Sequence, residues 1–263
     1  MSQLEDIISQ YNSGNLNYAL RKIQELISSN PSKEAYQLLG KILLDMGREE
    51  EALEAFNNAG DKINAAKILI NRIRYTDALQ LLEGINEPEA RLLRAMAYLK
   101  LEQYEKVLDE LKEISGEYLN SPIFYKIKGI TEYFLGNYYD SIKDLSKAIS
   151  LYGFDADLFY YRALCHMSLN NDKDAEKDFD TAINLNPYYA EAYFGKGIMK
   201  EKKGKFEEAV KLYTRSISIN PNYKGAYVRR AKTYMKMGME DEAIKDIDKV
   251  KEIEDSKNKK DIH

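Results

Sequence analysis

From Pro122 to Asp255 the apolar and small positions of the chain recur every 34 residues, with no insertion or deletion. A small residue opens the second half of each unit, at Ser141, Ala175, Ala209 and Ala243. Twelve residues before these lie Gly129, Ala163, Gly197 and Ala231, where two helices must approach closely. Four residues after each opening small residue comes a large apolar one (Leu145, Phe179, Tyr213, Ile247), and three later Ala148, Ala182, Ser216 and Val250. Spacings of three, four and seven place these residues on one face of a helix. A fixed period in the range of 20–50 residues predicts a stacked array, and this one predicts a helix–turn–helix unit.

Four consecutive units in one frame resemble tetratricopeptide (TPR) repeats. Tyr193, Gly197, Gly204, Ala209, Tyr213 and Pro221 fill the family pattern in one unit, and Phe159, Ala163, Ala175, Phe179, Ala182 and Pro187 in another. The resemblance implies an all-α, right-handed superhelical solenoid that binds other proteins. Upstream the pattern continues less regularly, with opening residues at Ala19, Ala52, Ala78 and Val107 and intervals of 33, 26, 29 and 34 through to Ser141. The whole chain thus reads as about eight antiparallel helix pairs. Residues 1–121 form irregular TPR-like repeats, 122–254 four regular ones, and 255–263 a polar tail expected to be disordered. The 26-residue interval predicts a shortened second helix ending near Asn58 with Gly60 as its stop; a hinge at 58–62 or 84–88 is the alternative.

Proline placement supports the scheme. Pro31, Pro88, Pro122, Pro187 and Pro221 all fall between pairs, where they spare the helices a penalty of about 3 kcal/mol each. Gly14, Gly47, Gly136, Gly204 and Gly238 fall at turns within pairs. In the last helix Ala243, Ile247 and Val250 are expected to face inward, and Lys245, Asp246, Asp248, Lys249, Lys251 and Glu252 outward, so that the helix forms its own polar cap.

Composition changes this picture little. The net charge of −4 argues against a dedicated nucleic-acid binder, but residues 196–236 carry twelve Lys/Arg against three acids. The lone cysteine, Cys165, excludes an internal disulfide and fits a reducing compartment. No basic start with an apolar run marks a signal peptide, and no apolar run approaches the ~20 residues of a membrane span, so a cytoplasmic protein is expected. Candidate chemistry is sparse. His166 and Cys165 are adjacent on a helix and point ~100° apart, so they do not chelate one metal together, and both read as packing residues. Phosphate loops, metal-ligand spacings and catalytic triads are absent from the sequence; neither enzymatic activity nor a cofactor is expected.

In TPR-like stacks the first helix of each pair lines the concave side. Positions 5, 9 and 12 of each unit share that face. They give Leu92, Met96 and Leu99 in one pair, Lys126, Ile130 and Tyr133 in the next, then Tyr160, Leu164 and Met167, then Phe194 and Ile198. This mostly apolar row predicts a groove for an amphipathic helix or extended apolar segment; internal packing of the same row is the other reading. Lys202, Arg229, Lys232 and Lys236 form a basic end suited to an acidic flank of the partner. The family's carboxylate clamp is not reproduced: its positions hold Lys126, Ile130, Tyr161, Glu191 and Gly195. The reading is therefore a monomeric, non-enzymatic scaffold or adaptor for protein partners. The alternatives are a chaperone-like holder of unstructured apolar segments and an RNA-binding repeat using residues 196–236.

Overall fold

The computed structural model describes residues 2–260, with side chains described through Ser256. All regular structure among them is helical, and it divides into two compact units, residues 1–119 and 120–263. The first unit holds α1 (Gln3–Asn12), α2 (Leu16–Ser29), α3 (Lys33–Asp45), α4 (Glu49–Asn58), α5 (Lys62–Asn71), α6 (Tyr75–Leu81), α7 (Pro88–Lys100) and α8 (Tyr104–Lys112). The second holds α9 (Pro122–Phe134), α10 (Tyr138–Leu151), α11 (Ala156–Ser168), α12 (Asp172–Leu185), α13 (Ala190–Lys202), α14 (Phe206–Ile219), α15 (Lys224–Lys236) and α16 (Glu240–Lys260). Odd- and even-numbered helices pair within each unit, and a single 3₁₀ turn, Gly116–Asn120, stands between α8 and α9. The shortened helix ends at Asn58, with Gly60 in the left-handed region at φ +66°.

Close approach within and between pairs follows the small residues. A Cβ on Gly197 would stand 2.5 Å from the Tyr213 ring of its own pair. On Gly195 it would stand 2.5 Å from the Phe179 ring of the preceding pair. Leu145, Phe179 and Tyr213 are each 0% exposed.

A charged ladder runs through the same contacts. Arg162 on α11 forks onto Asp178 of α12, with its Nε donating to Oδ2 at 2.7 Å and Nη2 to Oδ1 at 2.8 Å. Its remaining nitrogen, Nη1, reaches Ser146 on the preceding α10 at 3.0 Å. Arg230 repeats the arrangement with Asp246 (2.8 and 2.7 Å) and Thr214 (2.8 Å). Lys128 meets Asp144 at 3.0 Å, and in the first unit Arg94 forks onto Glu110 at 2.7 and 2.8 Å. Each cation pairs with an acid 16 residues later; at the fourth unit position Leu212 replaces that acid, and Lys196 turns back to Asp180, 16 residues earlier. A planar guanidinium fork binds one carboxylate with two hydrogen bonds and still has a donor for the neighbouring pair.

Two expectations about the last helix are corrected. Ile247 is 44% exposed and Asp246 only 4%, because the Arg230 fork draws Asp246 inward and no described helix follows α16 to cover Ile247. The helix also runs on through Lys260, into the stretch read as a disordered tail; residues 261–263 lie outside the described residues.

Candidate partner-binding site

In the second unit α9 touches α11, α11 touches α13 and α13 touches α15, and these helices carry the predicted rows. Tyr160 packs between Tyr189 (ring centroids 4.9 Å) and Phe179 (6.2 Å), and Phe194 between Tyr223 (5.0 Å) and Tyr213 (5.8 Å). Each ring is thus held by its own second helix and by the tyrosine that opens the next unit. Burial pushes the Tyr160 phenol well above its ordinary range and that of Tyr223 up to about 12, so both stay neutral. Leu164 and Met167 are half-buried against the Phe179 cluster, and Ile198 is half-buried one unit on. Tyr133 meets Tyr161 at 5.6 Å and Phe134 at 5.1 Å, and Phe134 is 46% exposed. In the first unit Met96 and Leu99 are half-buried.

Not every predicted residue reaches that face. Leu92 and Ile130, 7% and 5% exposed, are core residues. Lys126 is not an open cation either: Asp155 and Asp157 each accept from its Nζ at 2.7 Å, and Tyr189 donates to Asp157 at 2.8 Å. Burial works against the Lys126 charge, but the two carboxylates outweigh it and raise its pKa.

The basic end is largely neutralised by acids that sequence distance hides. Lys202 meets Asp172 at 3.0 Å, Lys236 meets Glu201 at 2.7 Å, and Arg229 lies 3.6 Å from the same carboxylate. Glu201 also accepts from Tyr213 at 2.9 Å; burial opposes its charge, yet Lys236 and Tyr213 hold its pKa below the usual range. Lys200 and Lys203 converge on Glu176, Lys196 meets Asp180, and Lys224 meets Glu254. Lys232 is exposed and has no ion-pair partner among the described residues. The excess of positive charge in 196–236 is therefore offset in part by acids of α12 and α16.

Glu176 provides a pH signature. Hydrogen bonds from Lys200 and then Lys203 bring its pKa from 4.5 down to about 2. A depressed carboxylate stabilises the fold fully above its unfolded pKa and loses that contribution as pH falls through the folded value. Unfolding followed by circular dichroism across the range between these values should show a steep acid limb, flatter in Glu176→Gln. Equal slopes in both proteins would refute the coupling.

Cys165 is 0% exposed and donates to Ser141 Oγ at 3.1 Å; burial pushes its thiol up to about 11, leaving it a packing residue rather than a nucleophile. His166 Nε2 lies 4.0 Å from Asp178, with Nδ1 buried and without a partner. In the first unit the shortened pair leaves an open cleft of about 610 Å³ lined by Lys33, Gln37, Asp61, Lys62, Ile63 and Asn86. Asp61 there is engaged: Gln37 donates to it at 2.9 Å, and its carboxylate caps α5 through the Asn64 N–H at 3.1 Å.

Family models of the tetratricopeptide repeat match residues 33–59, 128–190, 190–223 and 225–257. The chain belongs to the tetratricopeptide repeat family. Among solved TPR-like structures, a crystal structure of MamA is 25% identical over 63% of this chain and 96% of its own, with a TM-score of 0.55. MamA 41-end from Desulfovibrio magneticus RS-1 is 18% identical over 66% and 97%, with a TM-score of 0.56. The APC/C hetero-tetramer Cut9–Hcn1 covers 94% of this chain at 14% identity and a TM-score of 0.59, and this chain spans 45% of that one. The last two likenesses bear on fold alone. No curated protein sequence matches the chain. As a TPR protein it is built as a protein-interaction scaffold, and no described helix is long and apolar enough to cross a membrane.

Proposed function

We propose that the second unit holds an apolar or amphipathic segment of a partner protein across the first-helix face of α9, α11 and α13. The observation that carries this is the repeated aromatic sandwich. Tyr160 and Phe194 stand one unit apart, each fixed by rings on two sides and flanked by half-buried Leu164, Met167 and Ile198. Side chains fixed in this way lose little entropy when a partner covers them, which favours affinity. The role is scaffolding without catalysis. The paired cations of 196–236 count against an RNA-binding role, since phosphate binding would have to displace existing ion pairs.

The test is affinity capture from native lysate followed by titration of the captured protein with wild type and Tyr160→Ala/Leu164→Asp. Circular dichroism first establishes that the variant is folded, and Met167→Glu replaces it where it is not. Affinity at least tenfold weaker in the folded variant is expected. Unchanged affinity would assign these rows to internal packing alone, and loss of all binding only at raised salt would favour the charged surface.

A further inference from the structure

Beyond the first-helix face, α16 carries a second surface whose occupant can be read from the chain's own repeats. On α10, α12 and α14 the face turned toward the next pair is covered by the following odd-numbered helix. Ser146, Asp180 and Thr214 occupy one position of that face, and each accepts from a cation of the following helix, namely Arg162, Lys196 and Arg230. One residue earlier lie Leu145, Phe179 and Tyr213, all 0% exposed. The equivalent residues on α16 are Asp248 and Ile247. Ile247 is 44% exposed and Ile244, one turn before it, 54%. Among the described residues Asp248 pairs only with Lys251 of its own helix, at 3.0 Å, with both side chains mostly exposed.

We propose that α16 docks an amphipathic helix of a partner protein that carries small or apolar residues at i and i+7 and Lys or Arg at i+4. The covering helices within the chain share that pattern: Leu158, Arg162 and Cys165; Ala192, Lys196 and Met199; Ala226, Arg230 and Thr233. The flanking residues of all three sets are no more than 1% exposed. The cation would pair with Asp248 in place of Lys251, as Lys196 pairs with Asp180. A second copy of the chain does not supply such a helix from its own first pair. The corresponding residues of α1 are Ser2, Asp6 and Ser9, all exposed, and Asp6 would oppose Asp248 with like charge.

The probe is a fluorescent peptide of residues 187–204, which contains α13, with Lys200→Leu because Ile244 stands where Glu176 pairs with Lys200. Isolated helices of this length are marginal in water, so the peptide is stapled on its outer face. Anisotropy titration against the full chain should show saturable binding, weakened at least tenfold by Ile247→Asp and by Asp248→Lys. Binding to Asp248→Lys should return when the peptide carries Lys196→Glu. Both protein substitutions fall at exposed positions, and circular dichroism verifies their fold. Three results would overturn the proposal: no saturation by about 1 mM, equal binding to wild type and both variants, or concentration-dependent dimers in sedimentation velocity that Ile247→Asp abolishes.

Discussion

Arg162→Ala should destabilise the second unit by about 3 kcal/mol, because it strands a carboxylate that the fold has removed from water. The Asp178 side chain is 5% exposed and receives both of its charge-assisted hydrogen bonds from the Arg162 fork. The same substitution removes the link to Ser146 on the preceding pair. The double variant Arg162→Met/Asp178→Leu should recover most of the loss, since replacing a buried ion pair with apolar residues is commonly neutral or stabilising. Urea unfolding of the four proteins of the cycle, including Asp178→Leu, measures this directly. A double variant no more stable than Arg162→Ala would mean that the stability lies in packing around the arginine rather than in the charge pair.

Phe179→Ala should cost more, about 3–5 kcal/mol, as a fully buried aromatic ring is lost from the contact between α12 and α13. Its particular signature is coupling to Gly195. A Cβ there meets the Phe179 ring at 2.5 Å, so Gly195→Ala alone should be destabilising despite the roughly 1 kcal/mol that alanine gains over glycine in a helix. In a Phe179→Leu background the clash is relieved, and Gly195→Ala should become neutral or stabilising. Additive effects in the two backgrounds would show that the helices already separate enough to admit the methyl group.

Much of this architecture was legible in the sequence because its signals repeat. Gly129 and Gly197 mark where helices touch, and the five prolines mark where pairs end. The charged ladder follows the same 34-residue period, in Arg94, Lys128, Arg162, Lys196 and Arg230, with Glu110, Asp144, Asp178 and Asp246 as partners. Counting charge along a stretch conceals it, since partners lie 16 residues apart on different helices. Local counting also gave the excess of cations in 196–236, where Lys196, Lys200 and Lys202 meet Asp180, Glu176 and Asp172 of the pair before. The candidate rows follow from the helical period, but the burial of their residues does not. Tyr160 and Phe194 follow the helical period, but the period does not give how far a residue is covered: Ile130 is 5% exposed and Phe134, four residues on, 46%. Ile247 fails for a related reason: its burial elsewhere in the array comes from a helix that α16 lacks among the described residues.

The ladder also bears on how such a chain can grow. Arg162 and Arg230 each touch two neighbours, an acid on their own second helix and a hydroxyl on the one before, and these partners occupy identical places in units two apart. A gene duplication that copied a whole unit would deliver every cation to a matching acceptor at both seams. One that copied a fraction of a unit would bury unmatched charge at each junction. Selection against stranded charge would then preserve the 34-residue length of the regular units, while the 26-residue interval lies outside the ladder, between Ala52 and Ala78.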